Sequence, residues 1–350
     1  MRILVLGGGW FLGRAVIEGA LARGWDVTAF NRGRSGAVPE GITTVRGDRT
    51  DATDLKRLAA SGPWDAVIDT SSGEMSPRTV LAAAEALRPA AGRWVHVSTV
   101  SVYQGWPHQP LTEDSPLLDA PADADESFGH TGADGSPTQY GFQKAGAEKA
   151  VRRTFDDAAV ILRPGVILGP GEYVGRLPWW LRRAERGGAI LAAAPSLRPI
   201  QPVDVRDVAA FALDQAARDG GGAFNLAHPA PLSIGEFLTH CLAVTGGAGH
   251  VVWADPAVLA EHGVRQWTEM PLWRTASGVW SVDASRAVAA GLSCRPLTTT
   301  IDDTWNWLKA DGRPVQHPRA AEHGIAPHKE SAILAALGHP PSRHPPTVHG

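Results

Sequence analysis

A tyrosine and a lysine four residues apart, Tyr140 and Lys144 in the stretch YGFQK, form a pair whose types and spacing suit proton transfer. On a helix, side chains at this spacing project from the same face, one turn apart. A tyrosine hydroxyl has an ordinary pKa of about 10 and is a poor acid or base at neutral pH. A nearby ammonium favours the phenolate and lowers that pKa. The pair therefore predicts an acid/base role for Tyr140, with Lys144 as its electrostatic partner.

A threonine hydroxyl is expected close to this pair. Thr99 follows the apolar stretch RWVHVS, which predicts the fifth strand of a parallel sheet. Ligands of open parallel sheets collect at the carboxyl ends of the strands, so Thr99 is placed to hold a substrate oxygen beside Tyr140. We predict Thr99, Tyr140 and Lys144 as the catalytic residues. Each alone has an ordinary structural explanation, since Tyr-x-x-x-Lys arises by chance in many helices.

The stretch LVLGGGWFLG, residues 4–13, predicts a nucleotide-binding turn between a strand and a helix. Glycines in such a turn let backbone amides approach a pyrophosphate at the N-terminus of the helix. Gly7 and Gly13 keep the usual spacing, but Trp10 replaces the middle glycine. Either the indole of Trp10 covers the cofactor or it packs under the loop, and the sequence favours neither interpretation.

The end of the second predicted strand, AFNRGRS, indicates which dinucleotide is bound. A carboxylate at this point accepts hydrogen bonds from the adenosine ribose and repels a 2′-phosphate. Asn31 stands there instead, and Arg32 and Arg34 follow with guanidinium groups suited to a phosphate. We therefore predict NADP in preference to NAD. The alternative is that both arginines are solvated surface charges.

Short apolar runs alternate with helical patterns through the first half of the chain. This alternation predicts crossover connections and a parallel sheet with helices on both faces. The predicted fold class is α/β, a Rossmann-type doubly wound parallel sheet with a smaller, partly interleaved C-terminal substrate-binding region. Helices are predicted at 11–23, from 51, at 76–87, from about 139, at 177–186 and from 204, with a long surface excursion over 106–137.

Domain boundaries are predicted from the same pattern. The dinucleotide-binding domain spans residues 1–165, with 200–227 returning to it, and residues 166–312 form mainly the substrate-binding region. Residues 313–350 are expected to be a loosely held tail with one short helix. Six of the thirteen histidines lie in this tail, but their spacing matches no metal-binding pattern, so no metal is expected.

Together and in this order, the motifs resemble the extended short-chain dehydrogenase/reductase family, also called the NAD-dependent epimerase/dehydratase family, over about residues 1–310. Further matching pieces are RGD at 46–48, LRPGVILGPGE at 162–172, PVDVRDVA at 202–209 and AFNLA at 223–227. The resemblance implies that Thr99, Tyr140 and Lys144 form the catalytic triad. It also implies that Asp48 contacts adenine. The family commonly forms dimers, so a homodimer is expected.

The resemblance and the glycine turn together predict an extended cofactor site. It comprises Gly7, Gly9, Trp10, Phe11, Leu12, Gly13, Asn31, Arg32, Arg34, Asp48, Arg49, Thr70, Ser71, Lys144, Pro164, Gly165 and Val166, the last three lining the nicotinamide pocket. The second half of the chain is rich in tryptophan, which indicates either an aromatic-walled substrate site or ordinary core packing. Substrate contacts are predicted for Ser101, Trp179, Trp180, Trp267 and Trp273.

The residues after Thr99 bear on the reaction. Dehydratases of this family place Asp and Glu there to drive elimination, whereas Val100 and Ser101 stand here and neither is a general acid or base. We therefore predict an NADPH-dependent reductase of a ketone, aldehyde or imine on a small molecule, suited to specialised metabolism. An epimerase that retains NAD is the main alternative, although Trp10 and the NADP-type second strand favour cofactor exchange.

Composition bears on the partners. The chain carries 33 Lys and Arg against 36 Asp and Glu, a formal net charge of -3, with no block of basic residues. A non-catalytic NADP- or RNA-binding protein, the third alternative, is opposed by this charge and by the complete catalytic set. No apolar run approaches the length of a membrane span. We expect a cytoplasmic enzyme that binds no nucleic acid and no membrane.

Overall fold

The computed structural model describes residues 1–33, 38–133, 135–310 and 318–339. Contacts divide the chain into two compact units. The first unit contains Met1–Ile167, Gln201–Ala230 and Ala276–Arg295. The second contains the described residues of Leu168–Ile200, Pro231–Thr275 and Pro296–Gly350.

The first unit is built on a parallel sheet. The strands of the chain are β1 (Arg2–Leu6), β2 (Asp26–Asn31), β3 (Thr43–Arg46), β4 (Trp64–Asp69), β5 (Ala91–Val97), β6 (Ala159–Pro164), β7 (Ile167–Leu168), β8 (Gly188–Ala193), β9 (Pro199–Ile200), β10 (Val203–Asp204), β11 (Gly222–Leu226), β12 (Leu232–Ser233) and β13 (Gly249–Ala254). Seven of them form one sheet in the order β3-β2-β1-β4-β5-β6-β11, with every neighbouring pair parallel. In the second unit β8 pairs in parallel with β13, and β9 pairs antiparallel with β12.

Helices separate the strands as the alternating pattern predicts. They are α1 (Phe11–Ala22), α2 (Ala52–Ala60), α3 (Pro77–Leu87), α4 (Gln139–Phe155), α5 (Arg176–Glu185), α6 (Val205–Ala216), α7 (Ile234–Thr245), α8 (Pro256–Glu261), α9 (Ser285–Ala289), α10 (Leu297–Lys309), α11 (Pro318–Ala321) and α12 (Pro327–Ala336). A short 3₁₀ turn, Val100–Val102, follows β5. The predicted α/β fold class with a doubly wound parallel sheet is confirmed.

The strand sequences explain why the sheet lies at the centre of the first unit. Ile3, Leu4 and Val5 of β1 are completely buried, as expected for strands covered by helices on both faces. Their carboxyl ends finish at the same edge, where the amide of Thr70 donates to the Leu6 carbonyl at 3.1 Å. That edge therefore gathers the loops that carry the predicted site.

One predicted domain boundary differs from the structure. Residues 276–295, predicted in the substrate-binding region, belong to the first unit. They are held there by Leu111, whose amide donates to the Ser281 carbonyl at 2.8 Å.

The predicted loose tail is also corrected. The helices α11 and α12 belong to the second unit, and Glu330 of α12 is 5% exposed. Its carboxylate accepts from Arg183 Nε at 2.9 Å and from the Leu191 amide at 3.2 Å. A buried ion pair thus fixes α12, which a local sequence pattern cannot reveal. Among the helices of the described residues, none combines the length and apolar character needed to cross a membrane.

Candidate active site

The turn between β1 and α1 has the backbone geometry of a phosphate-binding loop. Gly7 has φ +101°. At Gly13, a Cβ would lie 2.7 Å from both the Gly8 amide nitrogen and Thr70 Oγ1, so no side chain fits there. Glycine is therefore needed at both predicted positions, and Gly8, with φ +122°, is a further glycine that the predicted site omitted.

Trp10 and Phe11 lie where the turn enters α1. Trp10 is the half-buried N-cap residue, with an extended backbone and no side-chain hydrogen bond to the helix. The first turn of α1 contains no acidic residue, so its positive end is suited to an anion. Phe11 has φ +32°, a strained backbone of the kind found at functional sites. Leu12 is buried and Gly9 half-buried. These features fit a bound pyrophosphate, and both interpretations of the indole stay open.

At the end of β2, Asn31 occupies the position expected to recognise the ribose. Its Oδ1 accepts from the Gly33 amide at 2.9 Å, and its Nδ2 is buried without a partner among the described residues. Arg32 is exposed, and Arg34 lies outside the described residues. Arg46 is the register partner of Asn31 on β3, and a Cβ on Gly33 would lie 3.3 Å from its guanidinium. Sequence reasoning missed Arg46, although it begins the RGD motif.

Asp48 and Arg49 follow β3 and have different surroundings. Asp48 Oδ1 accepts from the amide and hydroxyl of Thr50 at 3.0 and 2.9 Å. Arg49 is 4% exposed and makes two hydrogen bonds to the Asp69 carboxylate, at 2.7 and 3.0 Å. Its Nη1 also lies 3.2 Å from Ser71 Oγ. The structure thus turns Arg49 inward, where it supports the end of β4, and its cofactor contact stays a prediction.

The three residues predicted as the catalytic triad lie at the carboxyl edge of the sheet in the first unit. Thr99 follows β5, is 8% exposed, and accepts the Ser101 amide hydrogen at 3.2 Å. Tyr140, the second residue of α4, is 42% exposed. A Cβ on Gly141 would collide with the Ser101 carbonyl oxygen. The start of α4 is therefore pressed against the turn that holds Thr99, which brings Tyr140 close to it.

Lys144 is buried, at 2% exposure, directly under this edge. Its Nζ donates to the Val97 carbonyl at 2.6 Å and to Ser72 Oγ at 2.8 Å. Burial lowers the pKa of Lys144 to about 8, although the negative charges of Asp69 and Glu148 act in the opposite direction. The ammonium is thus held away from bulk solvent.

A second buried network fixes α4 to the sheet. The Ser98 hydroxyl donates to Glu148 Oε1 at 2.5 Å, and Arg163 of β6 donates to both oxygens of Glu148, at 2.9 and 2.6 Å. Arg163 Nη1 also donates to the Tyr103 hydroxyl at 2.9 Å, which in turn donates to Asn225 Oδ1 at 2.7 Å. This network was not predicted. Its sign in the sequence was that polar residues stand inside otherwise apolar runs.

The predicted nicotinamide-side residues also lie at the carboxyl edge. Pro164 ends β6, Gly165 follows it, and Val166 is 8% exposed. Thr70 and Ser71 follow β4, and Thr70 Oγ1 donates to the Leu6 carbonyl at 3.1 Å. The structure therefore brings the ends of β1, β4, β5 and β6 together, as predicted for one cofactor site.

The predicted substrate tryptophans are in the second unit and divide into two groups. Trp180 and Trp273 are each 2% exposed, and Trp180 Nε1 donates to the Pro271 carbonyl at 3.0 Å. These two are core residues, so the core-packing interpretation applies to them. Trp179 and Trp267 are half-buried. Trp267 lies 5.4 and 4.8 Å from the guanidinium carbons of Arg176 and Arg274, and its substrate role stays a prediction.

Residues 3–227 match the NAD dependent epimerase/dehydratase family. The chain belongs to this family. It is an NAD(P)-dependent oxidoreductase of the extended short-chain dehydrogenase/reductase type, which confirms the resemblance seen in the motifs.

Two characterised relatives are reductases. The chain is 30% identical over 269 residues to 2-alkyl-3-oxoalkanoate reductase of Stenotrophomonas maltophilia (strain K279a), covering 70% of this chain and 76% of the relative. It is 31% identical over 205 residues to 2'-dehydrokanamycin reductase of Streptomyces kanamyceticus, covering 55% of this chain and 51% of the relative.

Solved structures share the fold. WbmG of Bordetella bronchiseptica, in complex with NAD and UDP, is 21% identical with a TM-score of 0.67, over 89% of this chain and 96% of that one. UDP-glucose 4-epimerase of Thermus thermophilus, in complex with NAD, is 20% identical with a TM-score of 0.64, over 88% of this chain and 99% of that one. At these identities the likeness shows the fold alone.

Proposed function

We propose that the protein is an NADPH-dependent reductase that converts a small-molecule ketone to an alcohol. The observation that carries this proposal is the arrangement around Tyr140. Its hydroxyl-bearing side chain is exposed, the start of α4 is pressed against the Thr99 turn, and the Lys144 ammonium lies one helical turn further along. An exposed donor with a buried cation behind it suits proton delivery to a substrate oxygen.

Thr99, Tyr140 and Lys144 have different roles at the reacting carbonyl. When bound, the reduced nicotinamide supplies the hydride. Thr99 and Tyr140 hold the carbonyl oxygen by hydrogen bonds and so orient it. Tyr140 then gives its proton to that oxygen as negative charge develops there. The positive charge of Lys144 stabilises the phenolate that Tyr140 becomes and lowers its pKa.

The choice of reduction over elimination is supported by the two residues after Thr99. Val100 is buried and cannot exchange protons, and Ser101 turns its amide back to Thr99 Oγ1. Neither supplies the general acid or base that elimination of water needs. The names of both characterised relatives describe reduction of oxo or dehydro compounds. A ketone is therefore favoured over an aldehyde or an imine.

NADPH is the proposed cofactor because the end of β2 offers an amide and cations in place of a carboxylate. Asn31 cannot repel a 2′-phosphate, and its buried Nδ2 is a donor without a partner among the described residues. Arg32 is exposed at the same strand end, and Arg46 on β3 is the register partner of Asn31. Charge-assisted hydrogen bonds to one phosphate contribute about 1.5 to 3 kcal/mol.

The cofactor proposal is tested by titrating NADPH and NADH against purified protein. The wild type is expected to bind NADPH about ten- to a hundred-fold more tightly than NADH. Arg32→Ala with Arg34→Ala should remove most of this preference and leave NADH affinity unchanged, and Arg46→Ala should remove part of it. Arg153→Ala, an exposed arginine paired with Glu85 at the far end of α4, is the matched control. Equal affinity of the wild type for both nucleotides would contradict the assignment.

The reaction is tested by following NADPH oxidation with 2-alkyl-3-oxoalkanoates and with oxidised sugars. A reductase consumes one NADPH per alcohol formed and leaves purification with little bound nucleotide. Tightly retained NAD, with isomerisation and no net consumption, would establish the epimerase alternative. The cytoplasmic location and the homodimer expected from the sequence stay proposals, which cell fractionation and light scattering would check.

A further inference from the structure

A row of buried ionisable side chains leads up to Lys144, and the proposed reaction uses none of them directly. Arg49 holds the Asp69 carboxylate with two hydrogen bonds. His96 Nδ1 lies 3.5 Å from Asp69 Oδ2, and His96 Nε2 lies 3.5 Å from Lys144 Nζ. All four side chains are 4% exposed or less. Withdrawing charged groups from water costs free energy, so buried charges need a role or a compensating partner.

The sheet itself places Asp69 and His96 side by side. They are register partners on the parallel strands β4 and β5, so their side chains project from the same face. Lys144 reaches that face from α4 and is anchored there by the Val97 carbonyl. The row is thus assembled by strand register and helix packing.

The surroundings decide which atoms of His96 carry protons. Burial lowers the pKa of His96, and the adjacent Lys144 charge lowers it further, so the imidazole is neutral. Burial disfavours the ionised form of Asp69, but the charge and hydrogen bonds of Arg49, with the His96 imidazole nearby, outweigh it and hold the pKa of Asp69 well below its usual range. His96 Nδ1 lies 3.5 Å from Asp69 Oδ2 and makes no hydrogen bond among the described residues. An ionised carboxylate only accepts, so Nδ1 carries the hydrogen toward Asp69 and Nε2 is left to accept from Lys144.

We propose that His96, oriented by Asp69, is a positioning residue that holds the Lys144 ammonium one turn from Tyr140 and keeps it protonated. With Val97 and Ser72, His96 completes three acceptors for the three hydrogens of the ammonium. This inference rests on the proposed function, because Lys144 matters through Tyr140.

The balance of charges around Lys144 explains why an extra acceptor matters. Two anions face it, Asp69 from β4 and Glu148 from its own helix, while Arg49 repels it from the segment before α2. Burial is the largest influence and leaves the pKa of Lys144 at about 8, close to working pH. An apolar group in place of His96 would remove an acceptor of the charged form and lower that pKa further.

The test is a pH titration of the ε-carbons of the lysines, labelled with ¹³C and observed by NMR, in the free full-length protein. The chain has five lysines, Lys56, Lys144, Lys149, Lys309 and Lys329, so the signals are few and Lys144 is assigned from its loss in Lys144→Arg. The wild-type midpoint of Lys144 is expected near pH 8. Lys149, on the same helix and paired with exposed Asp119, is the internal control.

Two amide variants of His96 separate the effect of the acceptor atom from the effect of side-chain size. The amide of His96→Gln reaches the place of Nε2, and the midpoint of Lys144 should stay within about 0.3 of wild type. The amide of His96→Asn reaches only the place of Nδ1 and leaves Lys144 without its acceptor. The midpoint should then fall by about one pH unit or more, with Lys149 unchanged. His96→Leu, an apolar replacement, should lower the midpoint of Lys144 as His96→Asn does. It serves as the test if His96→Asn does not fold.

An unchanged Lys144 midpoint in His96→Asn or His96→Leu would overturn the proposal, whatever the loss of stability. An equal fall in His96→Gln would overturn it too, because the imidazole would then act through more than its acceptor. The titration contains no nucleotide and no substrate, so its result is independent of the reaction. If Lys144 responds as expected but no oxo compound is reduced, the proposed function fails and the positioning role stands.

Discussion

The two members of the Tyr-x-x-x-Lys pair have opposite environments. Tyr140 is 42% exposed, whereas Lys144 is 2% exposed. Tyr140 lies in the first turn of α4, which Thr138 caps through the Gly141 amide, and Lys144 lies one turn further in, where the helix meets β5. In the proposed reaction the exposed Tyr140 side chain meets the substrate, while the Lys144 ammonium acts through its field from a buried position.

Removing the Tyr140 hydroxyl is the direct test of the proton donor. Tyr140→Phe should leave folding and NADPH affinity nearly unchanged and lower the turnover number by about 10²-fold or more, the usual contribution of general acid catalysis. NADPH oxidation with an oxo substrate measures it. Tyr173→Phe, the same change in the second unit, should retain full activity. A Tyr140→Phe enzyme with most of its activity would exclude Tyr140 as the donor.

At the scale of elements, glycines set how closely α4 approaches its neighbours. A Cβ on Gly141 would strike the Ser101 carbonyl, and one on Gly146 would lie 2.6 Å from the Pro121 carbonyl oxygen and from Pro77 Cγ. Backbone oxygens cannot rotate away as a side chain can, so any added atom must displace the helix. The distance between Tyr140 and the Thr99 turn therefore depends on these glycines.

Gly141→Ala should move α4 away from the turn that holds Thr99. We expect a loss of about 1 to 3 kcal/mol of unfolding free energy, as for overpacked sites, and at least a tenfold loss in turnover. Denaturant unfolding and NADPH oxidation measure the two effects. The matched control is Gly19→Ala in α1, where the added Cβ meets only the tip of Leu213 at 2.9 Å. That variant should be neutral or gain up to about 1 kcal/mol from helix propensity. Full activity in Gly141→Ala would show that the close approach is not needed.

At the scale of the whole molecule, each unit is assembled from segments far apart in the chain. The first unit takes back residues 201–230 and 276–295, and the second includes the C-terminal helix α12. The buried pair of Arg183 and Glu330 joins α5 to α12 across 147 residues of sequence. Residues 318–339, the described part of the C-terminal region, therefore belong to the folded second unit.

Glu330→Ala should destabilise the second unit strongly. It leaves Arg183 buried without its carboxylate, a change that typically costs about 3 to 5 kcal/mol. Denaturant unfolding measures the loss, and hydrogen exchange should show lost protection in α12. His328→Ala, an exposed position on the same helix, should change stability by less than about 0.5 kcal/mol. Equal stability of Glu330→Ala and the wild type would show that the Arg183–Glu330 pair does not stabilise the second unit.

Features that depend on local spacing could be predicted from the amino-acid sequence. Alternating apolar runs and helical patterns were sufficient for the parallel sheet, because a buried strand and an amphipathic helix each mark their own segment. The glycines of the first turn and the Tyr140–Lys144 pair could be named in advance, since backbone conformation and helical period link near neighbours. Thr99 was named from its place at the end of a predicted strand and from the family resemblance. The site residues themselves stay predictions, while the family and the fold class are confirmed.

The contacts of these residues depend on segments that the folded chain brings together. Strand register placed His96 beside Asp69 and Arg46 beside Asn31, and no pattern within one strand reveals its neighbour's register. The same limit explains Arg49, which the structure turns to Asp69, and Trp180, which is buried in the second unit. A sequence shows that a side chain is apolar or charged. Which partner compensates a buried charge depends on segments that meet only when the chain has folded.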